Sequence, residues 1–542
     1  MPALTRRDVL TAFLGAPLAL AACRDKKRVP EGELAFRPDE LGHRVRDEKP
    51  PVIPAEKWER AGVGIVGAGI AGLSAARRLL AAGYEDFVIL ELESAAGGTA
   101  RSGANATSAY PWGAHYITAP MKENTDLLGL LRELDLVEGA DAAGEPTFRE
   151  EMLCREPQER VFAAGTWHDG LYHHDGESED DKLQYARFKQ TIESYAALRD
   201  GKGRRAFAVP TAFGSDDADL VALDKTSIAE WLAREKFTSE RLLWLVDYAC
   251  RDDFGARAAQ TSAWAGIHYY ASRLLGPGHE PQAVLTWPAG NGWLVSKLQE
   301  KIRGKLRVGL AVADIAPVAA SEGTRSGVDV IAIGRAPSAV GIHAQRVIFA
   351  APQFVAHAAI RPWRDAPPPH LSAFNYGAWM VANITLGARP KSRSRGEHMM
   401  AWDNVLKDSP SLGYVVATHQ TGRDYGPTVL TYYYPLCDED PRAARRRLYA
   451  AGRDEWADVA LADLEHAHPD IRTLATRVDV VRWGHAMVRP APGFVFGGAR
   501  AAAARAFQGI HFANTDLSGV ALFEEAFHHG IRAADEVLAE LR

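Results

Sequence analysis

Residues 63–91 read VGIVGAGIAGLSAARRLLAAGYEDFVILE. Val63 to Val66 is a short apolar run rich in β-branched residues, which predicts a buried strand. It leads into the glycine turn Gly67-Ala68-Gly69-Ile70-Ala71-Gly72. Leu73 to Ala82 is a strong helix former closed by Gly83, and Phe87 to Leu90 predicts a second strand ending at Glu91. Each glycine has a separate task. Gly67 permits the tight turn, Gly69 lets the backbone approach a pyrophosphate, and Gly72 lets the helix pack on the strand. Ile70 and Ala71 belong to the turn, and the N-terminus of the helix behind it offers free N–H groups and a positive dipole end that suit phosphate. Glu91 stands 19 residues after Gly72, where a carboxylate accepts ribose hydroxyls and disfavours a 2′-phosphate. The unit predicts a dinucleotide site in an α/β domain.

The chain has 542 residues and a mass of 59.0 kDa, enough for two to four domains. Apolar residues make up 47% and charged residues 24%, a globular rather than disordered balance. The net charge of −6 argues against a nucleic-acid binder. Cys23, Cys154, Cys250 and Cys437 are too scattered for a disulfide framework or a zinc site, so no metal is expected. No run of 18 apolar residues occurs in the body of the chain, which excludes a membrane-spanning bundle.

The first 23 residues have the layout of a bacterial export signal: Arg6-Arg7, then an apolar stretch from Val9 to Ala22. The arginine pair resembles signals of the twin-arginine route, which carries folded, often cofactor-loaded proteins. Leu20-Ala21-Ala22-Cys23 resembles a lipobox, implying cleavage of residues 1–22 and lipid on the Cys23 thiol. These features predict a periplasmic or cell-envelope protein held at a membrane through a lipid anchor. A leader with an incidental cysteine is the bland alternative. Residues 23–59 are polar and carry Pro50, Pro51 and Pro54, suiting a tether, an extended strap or a simple linker.

Beyond Glu91 the sequence continues Leu92-Glu93-Ser94-Ala95-Ala96-Gly97-Gly98-Thr99-Ala100-Arg101. Further on come Tyr110-Pro111-Trp112-Gly113-Ala114-His115-Tyr116-Ile117, the block Trp287 to Val295, a strand-like run Leu310 to Ile315, and Gly509 to Asp516 before a helix from Phe523 to Leu541. In order and spacing these blocks resemble the flavin-containing amine oxidase superfamily. The resemblance implies non-covalent FAD in a Rossmann-type α/β domain, interleaved with an α+β substrate-binding domain. It assigns residues 60–120, 285–355 and 475–542 to the FAD domain and residues 121–284 and 356–474 to the substrate domain. Gly97, Gly98, Thr99 and Arg101 would run along the FAD phosphates toward the ring, although the family pattern is Gly-Gly-Arg without Thr99 and Ala100 between. Gly113, Ala114 and His115 would lie near the flavin, and the Val312 backbone against the adenine. Asp516 takes the place of the acid at the ribityl and phosphate region. The closing helix would aim its N-terminus at the flavin pyrimidine, where its dipole stabilises the anionic reduced ring.

The resemblance implies oxidation of a small-molecule amine or amino acid by hydride transfer to flavin N5, with electrons passed to oxygen or another acceptor. Many family members carry a lysine that holds water near N5. Here Val381 falls at that place, and no lysine occurs between Val355 and Gly387. A flavin desaturase of a hydrophobic compound and an electron-relay subunit without its own substrate therefore stand as alternatives. Trp483 and His485, just before the C-terminal block, are candidates for the substrate wall, and His485 for a proton acceptor. Strand alternation sends Tyr432 and Tyr434 of Tyr432-Tyr433-Tyr434 to one face, with Tyr434 as the candidate site residue. The acidic run Asp175 to Asp181 reads as a solvated loop.

Overall fold

The computed structural model describes residues 29–36, 38–319, 326–335, 338–393 and 399–541, so the expected export and lipidation residues Arg6, Arg7 and Cys23 lie outside the described residues. The strand that feeds the glycine turn is longer than its apolar run, spanning Trp58–Val66, and the helix that follows is Ile70–Ala81. Seven strands form the first sheet. Leu306–Arg307, Phe87–Leu90, Trp58–Val66, Ala339–Phe349, Gly327–Gly334 and Leu310–Val318 lie side by side. Ile510–Phe512 pairs with the last residues of Ala339–Phe349. Pairing is parallel from the first of these strands to Ala339–Phe349, and parallel again to Ile510–Phe512. The other two strands are antiparallel.

Alternation explains the unbroken apolar runs. Val63, Ile65, Phe87 and Ile89 point to one face, among helices Ile70–Ala81 and Phe523–Leu541. Val66, Val88 and Leu90 point to the other, with Phe349, Val312 and Trp363. A sheet covered on both faces requires apolar residues at every position.

The second sheet also has seven strands, ordered Ala475–Val488, Tyr376–Leu386, Thr428–Pro435, Gly413–Val416, Asp403–Leu406, Glu159–Ala163 and Thr166–Asp169. One face packs on helices Pro441–Ala450 and Arg453–Leu464. The opposite face, with Trp379, Val381, Tyr433 and Val481, looks toward the dinucleotide half. A helical layer within residues 179–271 completes this half.

One pairing cuts across an expected boundary, and the strap-like N-terminal segment has structure of its own. Strand Ala475–Val488 pairs over most of its length with Tyr376–Leu386, so residues 475–488 belong to the substrate half. Residues 29–57 are more than a tether: residues 31 and 34 form bridges to Arg477 and Val480, and Pro38–Asp47 is a helix. Among the described residues no helix is long and apolar enough to cross a membrane, and no group of three metal-ligating side chains occurs.

Candidate active site

The glycine turn is built as its residue types require. Gly67 has φ of +95°, a conformation costly for any side chain. A Cβ on Gly72 would fall on the Gly67 carbonyl oxygen, whereas a Cβ on Gly69 would meet nothing within 4 Å. Gly72 thus serves packing, and Gly69 faces open space. Gly97 N–H donates to Ala68 O at 2.8 Å, which lays the second glycine segment against the first. Gly97 and Gly98 both have positive φ, +122° and +56°. Ala114 N–H in turn donates to Thr99 O at 2.9 Å, and Asn291 Nδ2 donates to Tyr116 O at 2.8 Å.

These segments enclose a cavity of about 790 Å³. Gly67, Gly69, Ile70, Ala71, Glu91, Gly97, Gly98, Thr99, Arg101, Gly113, Ala114, His115, Val312 and Asp516 all line it. Gly72 lies behind the wall. Phe523, Glu524 and Ala526, from the first turn of the closing helix, line it as well. The two ends of the chain therefore meet on one cavity.

Its polar groups fit a dinucleotide with a flavin. Glu91 accepts Ala68 N–H through Oε2 (2.7 Å) and Glu93 N–H through Oε1 (2.9 Å). Each oxygen keeps a second lone pair for a ribose hydroxyl. Burial pushes the Glu91 carboxyl up against the pull of those two N–H groups. The Arg101 guanidinium is buried, its Nε has no hydrogen-bond partner, and its Nη1 lies 3.6 Å from Glu93 Oε2. A buried cation left with an unmet donor beside a glycine cradle suits an anionic ligand. Asp516 Oδ2 accepts Gln353 N–H (2.7 Å) and Tyr376 OH (2.6 Å), and burial raises this carboxyl to about 6.

The far end of the cavity is aromatic. Tyr116, Trp379, Tyr433 and Trp483 line it, with Val381 in the sheet between Tyr433 and Val481. His115 stacks on Tyr433 at 4.9 Å and is pushed down to about 4 by burial, so its ring is neutral at pH 7. Trp483 Nε1 donates to Trp112 O at 2.7 Å. His485 lies face to face with Phe354 at 3.9 Å, and burial, then the Arg445 charge, lowers it to about 3. That makes His485 a wall residue and a poor proton acceptor at neutral pH. Tyr434 is on the opposite face of its strand, packed with Leu448 and Trp456, so Tyr433 takes the place expected for Tyr434.

Sequence reasoning missed two acids. Asp252 and Asp253, at the end of helix Glu240–Phe254, both line the cavity. Asp253 is paired with Arg273 at 2.8 Å. Asp252 has no side-chain hydrogen bond among the described residues, and burial with the Asp253 charge raises its carboxyl. The only signal in the sequence is a pair of acids at the end of an otherwise amphipathic helix. No lysine lines the cavity among the described residues.

A search among curated proteins found no sequence match. Solved structures resemble the fold. Wild-type putrescine oxidase bound to putrescine matches with a TM-score of 0.62 at 16% identity, over 89% of this chain and 99% of that one. Cyclohexylamine oxidase from Brevibacterium oxydans IH-35A matches with a TM-score of 0.60 at 16% identity, with the same two coverages. The family described as flavin containing amine oxidoreductase matches residues 70–538. With that match over most of its length and a cavity shaped for the cofactor, the chain belongs to the flavin-containing amine oxidoreductases and is a FAD-dependent oxidoreductase.

Proposed function

We propose that this enzyme oxidises a small amine, with FAD held non-covalently, and passes the electrons to oxygen. The observation that carries the amine reading is Asp252, an unpaired carboxyl at the aromatic end of the cavity. A carboxylate among aromatic faces attracts an ammonium through charge and through ring quadrupoles. An amino acid would bring its own carboxylate beside Asp252, whose neighbour Arg273 is already paired with Asp253. Bound FAD supplies the two-electron acceptor for removal of a hydride from the carbon beside nitrogen. The chain's own residues bind, orient and move one proton: Trp379, Tyr433 and Trp483 exclude water, and the Asp252 carboxylate, made more basic by burial and the Asp253 charge, holds the ammonium and takes its N–H proton, so that the neutral amine gives up the hydride. Val381 stands at the wall, and no lysine lines it among the described residues.

Twin-arginine export and lipidation at Cys23 complete the proposal, supported by the leader's residue pattern. Labelled palmitate should enter the wild-type protein and not Cys23→Ala.

An anaerobic screen tests the activity. The yellow protein is mixed with amines, amino acids and polyenes, and loss of the flavin band is recorded. Bleaching by amines, followed by peroxide release in air, is the expected result. Bleaching by polyenes alone would favour a desaturase, and inertness toward every compound a relay subunit. Asp252→Asn should lower kcat/KM for amines about 100-fold, the loss of one charge-assisted contact of about 2.7 kcal/mol. An unchanged kcat/KM would remove Asp252 from the site.

A further inference from the structure

The described residues before the first strand touch both halves of the molecule, and those of the helix reach the cavity. Residues 31–35 run beside strand Ala475–Val488: Val478 N–H donates to Glu31 O, and Ala35 N–H to Val480 O, both at 2.8 Å. Glu33 N–H donates to Asp479 Oδ1 at 2.9 Å. Helix Pro38–Asp47 then lies on the dinucleotide half, burying Leu41 and Val45 with Ala311, Ala313 and Ile333. Gly42, His43, Val45 and Arg46 of this helix line the cavity. Phe36 lies between residues 31–35 and this helix with φ of +55°, the turn that redirects the chain. Its ring centroid is 4.2 Å from Arg101 Cζ and 5.6 Å from the Trp112 ring. Arg101 is the buried cavity cation with an unmet Nε donor.

We propose that residues 29–36 and helix Pro38–Asp47 form a clasp over bound FAD, and that Phe36 is a positioning residue holding the Arg101 guanidinium against the cavity. The inference rests on the FAD assignment. The clasp is attached on one side by backbone hydrogen bonds, the Arg453 bond to Pro30 O and the Glu33–Arg477 pair, and on the other by Leu41, Val45 and the Arg44 bond to Gly334 O. Such a segment opens at lower free energy than the sheets beneath it. Release of a ligand lying under it then depends on that opening. The cation–π contact adds to the long ion pair with Glu93 in holding the Arg101 plane.

The test uses the FAD-loaded chain and reads FAD release by the recovery of flavin fluorescence on dilution. Phe36→Ala and Leu41→Asp should each speed release at least ten-fold, while Phe36→Tyr, which keeps a ring over Arg101, should release at the wild-type rate. Melting temperatures of the FAD-free proteins should stay within a few degrees of one another. FAD should also slow tryptic cleavage after Arg44 and Arg46, both partly exposed on the helix. Wild-type release from Phe36→Ala and Leu41→Asp, or equal cleavage with and without FAD, would overturn the clasp. Faster release matched by an equal loss of FAD-free stability would overturn it too, as a structural effect. A wild-type chain that takes up no FAD would overturn the clasp and the cofactor assignment together, whereas FAD held equally by all variants overturns the clasp alone.

Discussion

Gly69 and Gly72 stand three residues apart and answer to different neighbours. Gly69 has φ of −71° and open space where a Cβ would be. Gly69→Ala should leave the melting temperature of the FAD-free protein within about 2 °C, since no packing changes. It should weaken FAD binding at least ten-fold on titration, because the methyl group occupies the phosphate approach. Gly72→Ala places its methyl group on the Gly67 carbonyl, so it should lower both stability and FAD affinity. His468 gives a pH prediction. It is buried, with Nδ1 2.9 Å from Lys391 O and Nε2 2.6 Å from Tyr414 Oη. A neutral ring donates from Nδ1 and accepts at Nε2, and burial lowers its pKa to about 4. The unfolded value is about 6.5, so the unfolded chain binds the extra proton as pH falls from about 6.5 to about 4. Stability contributed by this residue is complete above that window and lost within it. In urea unfolding, His468→Gln should reduce the dependence of stability on pH in that window by up to about 1.4 kcal/mol per pH unit.

Pairs of elements are decided by contacts that no single position shows. The helix after the glycine turn and the closing helix touch through Gly530, where a Cβ would fall on Ser74 Oγ and the Ala71 carbonyl. Gly530→Ala should destabilise the protein by about 2–3 kcal/mol through overpacking. It should also weaken FAD binding, because the same helix brings Phe523 and Glu524 to the cavity. A melt of the FAD-free protein and a flavin titration check both halves. The tyrosine strand shows how far alternation reaches. Period two correctly sets Tyr432 and Tyr434 together, but not on which side; pairing of Val381 with Tyr433 and Val481 brings Tyr433 to the cavity. The acidic run at 175–181 is partly helical. Ser178 and Asp181 form a capping box, with Glu179, Asp180 and Asp181 in the first turn of Glu179–Ala197.

The whole molecule is tied together by its cofactor cavity. Walls come from residues near 45, 67–71, 91–101, 113–118, 252, 312, 350, 381, 433, 483 and 515–526. A ligand that touches so many separate segments stabilises the native state by mass action. FAD at 100 times its Kd should add about 2.7 kcal/mol, or about 2 °C in melting temperature for a chain of this length. Gly69→Ala, at least ten-fold weaker, should lose about half of that shift or more at the same FAD concentration. A scan with and without FAD measures it.

The dinucleotide half was legible because its information is local. A strand, three glycines at fixed offsets and an acid 19 residues on are read without knowing what lies elsewhere, since backbone geometry dictates them. The substrate end is different. Asp252, Tyr433 and Trp379 come from a helix and two strands of one sheet, and become one wall only when strand pairing and register place them together. The cofactor class was thus written in short-range spacing. The aromatic wall, the unpaired acid and the N-terminal segment that reaches the cavity were settled by long-range packing, where burial of each group depends on residues hundreds of positions away.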